Sequence, residues 1–280
     1  MDLGRSQTQT GSSPELSPVF SANPRALTMI RVGSERSFRM PWILGYLGPT
    51  EVRFGVAAMG QNRDRRGSVL ITMEGRIRPI PALELGLSLL NQQGGDGAPT
   101  ATFWERVIDT FGFFAYRRPF RLTNDTQISN KLLGLDARLR LPDVPLEFYV
   151  EFTTEDDHDV FSDLTQGAWM NATWLWGGRA MGIGPEGRFD FRLEAFQNGP
   201  VVAGHYQFTS GLTLDGRTLG SPLGPEASGA TATLEQPRRV CARPAFALER
   251  LYAPGGIVSL ASPESRLVYR LPSKGGVPNL

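Results

Sequence analysis

Leu133-Gly134-Leu135-Asp136-Ala137-Arg138-Leu139-Arg140-Leu141 places five apolar residues at odd positions and Gly134, Asp136, Arg138 and Arg140 at even ones. Successive side chains of a strand point to opposite faces, so this spacing predicts a strand with one apolar and one charged face. The pattern recurs on both sides. After Pro142-Asp143-Val144-Pro145, the run Leu146 to Thr153 alternates again, with Glu147, Tyr149 and Glu151 on its polar side. Upstream, Val69 to Arg78 sets Thr72, Glu74, Arg76 and Arg78 on one face. Beyond a turn at Pro79 to Pro81, Leu83, Leu85, Leu87 and Leu89 alternate with Glu84, Gly86 and Ser88. Those two runs read as an antiparallel hairpin. Further strands are expected at Val52 to Met59, Ala168 to Trp176, Phe189 to Phe196, His205 to Leu212, Ala230 to Glu235, Phe246 to Tyr252 and Leu267 to Leu271.

One segment follows a different period. Phe103, Trp104, Val107, Ile108 and Phe111 recur at helical spacing within Phe103 to Phe111, which predicts a short amphipathic helix with Thr100 as its N-cap. It lies in a connection, Asn91 to Ile128, too long for a plain turn, so it is expected to pack against or inside the sheet.

Composition narrows the class. Lys and Arg number 29 against 28 Asp and Glu, a formal charge of +1, which removes the strongly basic balance that binding to nucleic acid by counterion release requires. Thirty-two Gly and 21 Pro punctuate the 280 residues, as expected of many short elements. No apolar run approaches the roughly 18 residues of a membrane helix, a test that leaves membrane strands open. Cys241 is the one cysteine, and His158 and His205 are the two histidines, so neither a disulfide framework nor a His/Cys metal cage is expected. The first residues, Met1 to Pro24, are rich in Gly, Ser, Thr, Gln and Pro and carry no export signal.

Alternation of this kind selects an antiparallel sheet and leaves two architectures open. The inferred polar faces interleave both signs of charge closely, as on a solvated sheet or around a wet lumen. The opposite faces are Leu, Val, Phe and Ala: the core of a soluble sandwich, or the lipid-facing side of a barrel with Trp169, Trp174, Trp176, Tyr149, Tyr206 and Tyr252 at the band edges. Chemical motifs add little. Gly182-Ile183-Gly184-Pro185-Glu186-Gly187 matches G-x-G-x-x-G by letter but is followed by a strand pattern, so it reads as a β-turn. The acidic run Glu155 to Asp159 reads as a solvated turn, and Cys241 among Arg238, Arg239 and Arg243 reads as a non-catalytic thiol. No catalytic, cofactor or metal-binding residue is assigned. Glu147 and Glu151, four apart and so on one strand face, are the pair a glycoside hydrolase would need.

Several stretches resemble the capsule-assembly Wzi family of outer-membrane proteins. They are Pro18-Val19-Phe20-Ser21-Ala22-Asn23-Pro24-Arg25, then Leu47-Gly48-Pro49, Pro81 to Ser88, Gly94-Gly95, the helix around Trp104, Ser129 to Arg138, Tyr149-Val150-Glu151 with Glu155-Asp156, Arg192-Leu193-Glu194, His205-Tyr206, Leu219-Gly220 and Gly224. Their shared order over residues 18–224 carries the resemblance. It implies an all-β fold, an antiparallel transmembrane β-barrel of about 18 strands in the bacterial outer membrane. It also implies a lectin-like, non-enzymatic role in capsular or exopolysaccharide assembly or surface attachment, with no cofactor. Residues 1–27 are expected to be an irregular N-terminal segment and 28–280 a partial barrel with a short helix in a loop near 101–111. The family order begins at its middle and Gly275 to Leu280 lacks a terminal aromatic residue. At roughly 20 residues per membrane strand and connection, 280 residues supply about 14 strands, so an incomplete barrel is expected, with its export signal outside this chain. Glycan contacts are expected at Trp169, Tyr149, Arg138 and Glu151, with polysaccharide and outer-membrane lipid as partners. The rival reading is a soluble periplasmic or extracellular carbohydrate-binding β-sandwich, and a glycoside hydrolase stands third.

Overall fold

The computed structural model describes residues 2–6, 9–13, 15–111, 128–155, 172–199, 204–205 and 207–235, and the backbone of 249–253, 256–260 and 267–272. Its strands are β1 (Asp2–Ser6), β2 (Leu27–Gly33), β3 (Phe38–Arg39), β4 (Pro49–Ala58), β5 (Val69–Ile80), β6 (Leu83–Gln93), β7 (Ser129–Arg140), β8 (Leu146–Glu155), β9 (Thr173–Ile183), β10 (Phe189–Gln197), β11 (Thr213–Leu214), β12 (Arg217–Thr218), β13 (Ser228–Glu235), β14 (Glu249–Ala253), β15 (Gly256–Leu260) and β16 (Leu267–Pro272). Among the described residues one α-helix, α1 (Phe103–Phe111), stands in the connection between β6 and β7.

Apart from the small β11–β12 hairpin, the described strands form one 14-stranded sheet in the order β1-β2-β4-β5-β6-β7-β8-β9-β10-β13-β16-β14-β15, with β3 on β4. Pairing is antiparallel throughout except for a single parallel rung, Glu249 with Val268, between β14 and β16. The expected hairpin forms, Glu74 pairing with Ser88 and Arg76 with Gly86. Among the described residues the sheet does not close on itself. The connections 81–82, 141–145 and 184–188 are short and lie at one end, together with the longer 34–48, which carries β3 and a single 3-10 turn at Trp42–Leu47; 7–26, 59–68, 94–128, 156–172 and 198–227 leave from the other.

The two faces of this sheet are inverted relative to a soluble protein. Leu87, Leu135, Phe148 and Leu193 on the outward face are 37% to 52% exposed, whereas Asp136, Glu151 and Glu194 on the inward face are 1% to 7% exposed. A solvated sandwich buries its apolar face. Here the apolar core lies only in the half of the inward side nearest the long connections. There Met29, Ala57, Leu70, Leu90 and Leu132 pack on Val19, Phe20, Leu212, Leu214 and Leu219. The segments 9–23 and 207–221 therefore fill the concavity as a plug.

Several expectations differ from the structure. Asp2–Ser6, read as irregular, is a strand paired with Leu27–Arg31. His205 to Leu212 is not a strand: His205 Nδ1 accepts from the backbone N–H groups of Gln207 (3.1 Å) and Phe208 (3.2 Å), closing a local turn that competes with a ladder. Phe208 and Leu212 are buried in the plug instead. The strand expected from Ala168 runs from Thr173 to Ile183, and the one expected from Phe246 runs from Glu249 to Ala253, with 168–171 and 246–248 outside the described residues. The cap of α1 is Thr102, not Thr100. Thr102 N–H donates to Glu105 Oε2 (2.6 Å) and Glu105 N–H to Thr102 Oγ1 (3.3 Å), a reciprocal box that satisfies two free helix-end donors. Tyr149 faces inward, not a lipid band edge, because it shares the parity of Glu147 and Glu151.

Candidate functional site

The inward face carries its charges at alternate positions of neighbouring strands, so antiparallel register sets opposite signs within reach. Arg53 lies 3.5 Å from Glu74. Arg76 and Arg78 both bond Glu84, at 2.7 and 2.8 Å, while Glu147 holds Arg140 at 2.7 Å and Arg138 at 3.8 Å. On the far side Arg179 pairs with Asp190 at 2.5 Å and Arg192 with Glu235 at 3.2 Å. The result is a continuous mixed-charge belt near the short-turn end.

Glycine at the centre of two rungs lets side chains meet across an intervening strand. Arg76, Gly86 and Asp136 are opposite one another on β5, β6 and β7, and the Asp136 carboxylate occupies the space a Gly86 Cβ would need, within 3.8 Å of Arg76. Tyr149, Gly177 and Glu194 form the equivalent rung on β8, β9 and β10. The Tyr149 ring lies over Gly177, and its hydroxyl donates to Glu194 Oε1 at 2.5 Å.

The plug enters this belt through its backbone. Glu151 Oε1 accepts from the N–H groups of Ser12 (2.6 Å) and Ser13 (2.8 Å), Arg76 Nη2 donates to Gly11 O (3.0 Å), and Arg138 Nε donates to Ser12 Oγ (3.2 Å). Farther along, Ser21 Oγ donates to Gly220 O (2.7 Å) and Asn23 Nδ2 to Thr218 O (2.9 Å). Two stretches that carry the family resemblance, 18–25 and 219–224, are thus joined in one structure. Loop 59–68 clasps the second plug segment: Arg63 donates to the carbonyls of Thr213 (3.1 Å) and Gly211 (2.8 Å), and Thr209 Oγ1 donates to Asp64 Oδ2 (3.0 Å). Burial of Asp64 works against its ionisation, but hydrogen bonds from Ser210, Arg65 N–H and Thr209 outweigh it and hold the carboxyl at about 2.

Of the expected glycan contacts, Tyr149, Glu151 and Arg138 come together on the inward face, beneath residues 11–13, with their polar atoms engaged as described. Trp169 lies outside the described residues, as do Cys241 and Asp156 to Asp159. Glu147 and Glu151 share a face as their spacing requires, yet one is held by arginines and the other by backbone N–H groups. Among the described residues no three His, Cys, Asp or Glu side chains converge on a metal-sized site. Gly182 to Gly187 is the β9–β10 turn.

Trp174 and Trp176, expected at a lipid band edge, do lie on the outward face of β9 and stack there with ring centroids 5.7 Å apart and planes within 2°. One feature escapes the sequence, the seat of α1. Asp109 receives Lys131 Nζ at 2.6 Å, Gln93 Nε2 at 2.9 Å and Asn91 Nδ2 at 3.1 Å, and only the parity of Asn91, Gln93 and Lys131 could have disclosed it.

Three comparisons bear on this arrangement. Residues 2–237 match the family described as capsule assembly protein Wzi. An uncharacterized 55.8 kDa protein in the cps region of Klebsiella pneumoniae is 26% identical over 129 residues, 44% of this chain and 24% of that protein. Among solved structures, Wzi of Escherichia coli, an outer-membrane carbohydrate-binding β-barrel involved in group 1 capsule assembly, aligns over 83% of this chain and 49% of its own, with a TM-score of 0.65 and 21% identity. The chain therefore spans about half the length of that barrel and about a quarter of the Klebsiella protein.

Proposed function

The chain belongs to the capsule assembly protein Wzi family, and from that premise we propose that it serves as a non-enzymatic outer-membrane β-barrel element that holds capsular or related polysaccharide at the bacterial surface. The observation that carries this reading is the inversion of faces: apolar side chains outward and exposed, charged side chains inward and buried. An outward Leu and Phe face suits lipid, and a mixed-charge interior suits a barrel lumen. Apart from 34–48, the long connections leave from one end and the short turns from the other. Outer-membrane barrels keep short turns periplasmic and longer loops extracellular, so the α1 end faces the polysaccharide.

Glycan binding in this reading belongs to the long-loop end, with Trp169 as a contact. Arg138, Tyr149 and Glu151 reach a glycan only when residues 11–13 lift from them. The engagement of Glu147 and Glu151 by arginines and backbone donors supports anchoring over hydrolysis.

The test is fractionation together with deletion. The full-length gene product should stay in outer-membrane vesicles through carbonate and urea washing. Its deletion should release capsule from cells without changing polysaccharide chain length. Stripping by either wash, or longer chains on deletion, would overturn the reading.

A further inference from the structure

We propose that α1 is an interfacial helix, laid in the headgroup boundary of the leaflet at the long-loop end, with Phe103, Trp104, Ile108 and Phe111 toward lipid. The inference rests on the barrel reading above. On β6 the outward stripe runs Leu85, Leu87, Leu89 and then changes to Asn91 and Gln93; on β7, read toward the same end, it runs Leu135, Leu133 and then Lys131. Such groups have no place in hydrocarbon. Here α1 covers them: the Lys131 side chain is 3% exposed and its partner Asp109 8%, and Gln93 Nε2 also donates to Thr110 Oγ1 at 2.9 Å.

The helix therefore spends its polar residues on the sheet and turns its apolar edge away from it. Phe103, Trp104, Ile108 and Phe111 are 41% to 70% exposed; Trp104, Ile108 and Phe111 stand at i, i+4 and i+7 in one row, with Phe103 on its flank beside Trp104. That row continues the lipid-facing stripe of β6 and β7 at the level where apolar strand residues end. An amphipathic helix in that position buries its apolar face about 5–10 Å into the headgroup boundary. The continuity of row and stripe selects lipid as the occupant over a second copy of the chain.

The experiment compares the full chain with its Trp104→Phe variant, each in phosphatidylcholine vesicles carrying a spin label near the headgroups or at the acyl midpoint. The difference between the two proteins isolates the fluorescence of Trp104. That component should be blue-shifted from its value in water and quenched about twofold more by the headgroup label than by the midpoint label, as a depth of ~5–10 Å requires. A Trp104 component quenched by acrylamide from the water and by neither lipid label overturns the proposal, as does one shielded from all three, which would mean a protein cover. The remaining emission of Trp104→Phe, which includes the outward Trp174 and Trp176, separates the two readings. If it is quenched by lipid labels while Trp104 is not, the barrel stands and only the helix assignment falls; if it is quenched by neither, the barrel reading falls first.

Discussion

The backbone N–H of Ser13 donates to Glu151 Oε1 at 2.8 Å, joining residues 138 positions apart. With the Ser12 N–H on the same oxygen, it fixes the plug to β8 by two hydrogen bonds. Glu151→Ala leaves two donors without their acceptor, at a cost of about 1–3 kcal/mol for each group that stays buried. The urea midpoint of the detergent-solubilised protein should fall accordingly. Gly11→Ala should act in the same direction, because Gly11 has φ +73° and its absent side chain leaves room for the Glu151 carboxylate. Unchanged midpoints in both variants would remove the plug contact from the account of stability.

The Tyr149–Gly177–Glu194 rung makes a second expectation. Tyr149→Phe removes the hydroxyl donor and leaves Glu194, 1% exposed, with one partner fewer, for a loss of about 1–3 kcal/mol. Gly177→Ala pushes the ring off the strand and should cost a similar amount by overpacking, about 1–3 kcal/mol. Both break the same bond, so the double variant should lose clearly less than the sum of the singles. Strict additivity would mean that the ring and the glycine act independently.

What the sequence disclosed and what it withheld follow from the same periodicity. Alternation within Val69 to Thr153 locates β5 to β8 because along the middle of each strand one face is mostly apolar and the other mostly polar. The alternation is blind to which face is inside, so a barrel and a sandwich stay equivalent until the exposure of Leu87 and the burial of Glu151 are known. The plug was hidden for another reason. Leu16, Val19 and Phe20, and later Phe208, Leu212 and Leu219, are buried by partners far away in sequence, and their spacing follows no regular period. The Thr102–Glu105 box is legible in the sequence as T-x-x-E, a spacing that Thr100 lacks.

Asp64 sets an acid limit on the clasp between loop 59–68 and the second plug segment. Its carboxyl, held at about 2, lies below the ordinary aspartate value of about 3.9. A depressed folded value contributes stability that is whole above the unfolded value and is lost as pH falls through the folded one. The clasp should thus loosen between about pH 4 and pH 2, seen as a loss of amide-exchange protection, relative to the intrinsic rate at each pH, at Asp64, whose N–H donates to Ser210 Oγ. Asp64→Asn should flatten that dependence relative to flanking loops. A pH profile identical in the variant and the unaltered chain would count against the carboxylate.

The outward face supplies a test that separates lipid from water as its neighbour. Leu135 is 37% exposed and lies at the centre of β7, opposite Leu87 of β6 and Phe152 of β8. If water covers this face, Leu135→Arg is a surface change and should move stability by no more than about 0.5 kcal/mol. If lipid covers it, a charge near the bilayer middle should cost about 2–4 kcal/mol. Gln61→Arg, in the exposed loop 59–68, controls for the added charge itself. Leu135→Arg should lower the urea midpoint in vesicles and reduce the folded fraction in outer membranes, while Gln61→Arg leaves both unchanged. The contrast depends on solvent and not on packing, because an exposed side chain leaves room for the longer arginine in either case. Equal and small effects for the two variants would place water against Leu135 and return the sheet to the sandwich reading.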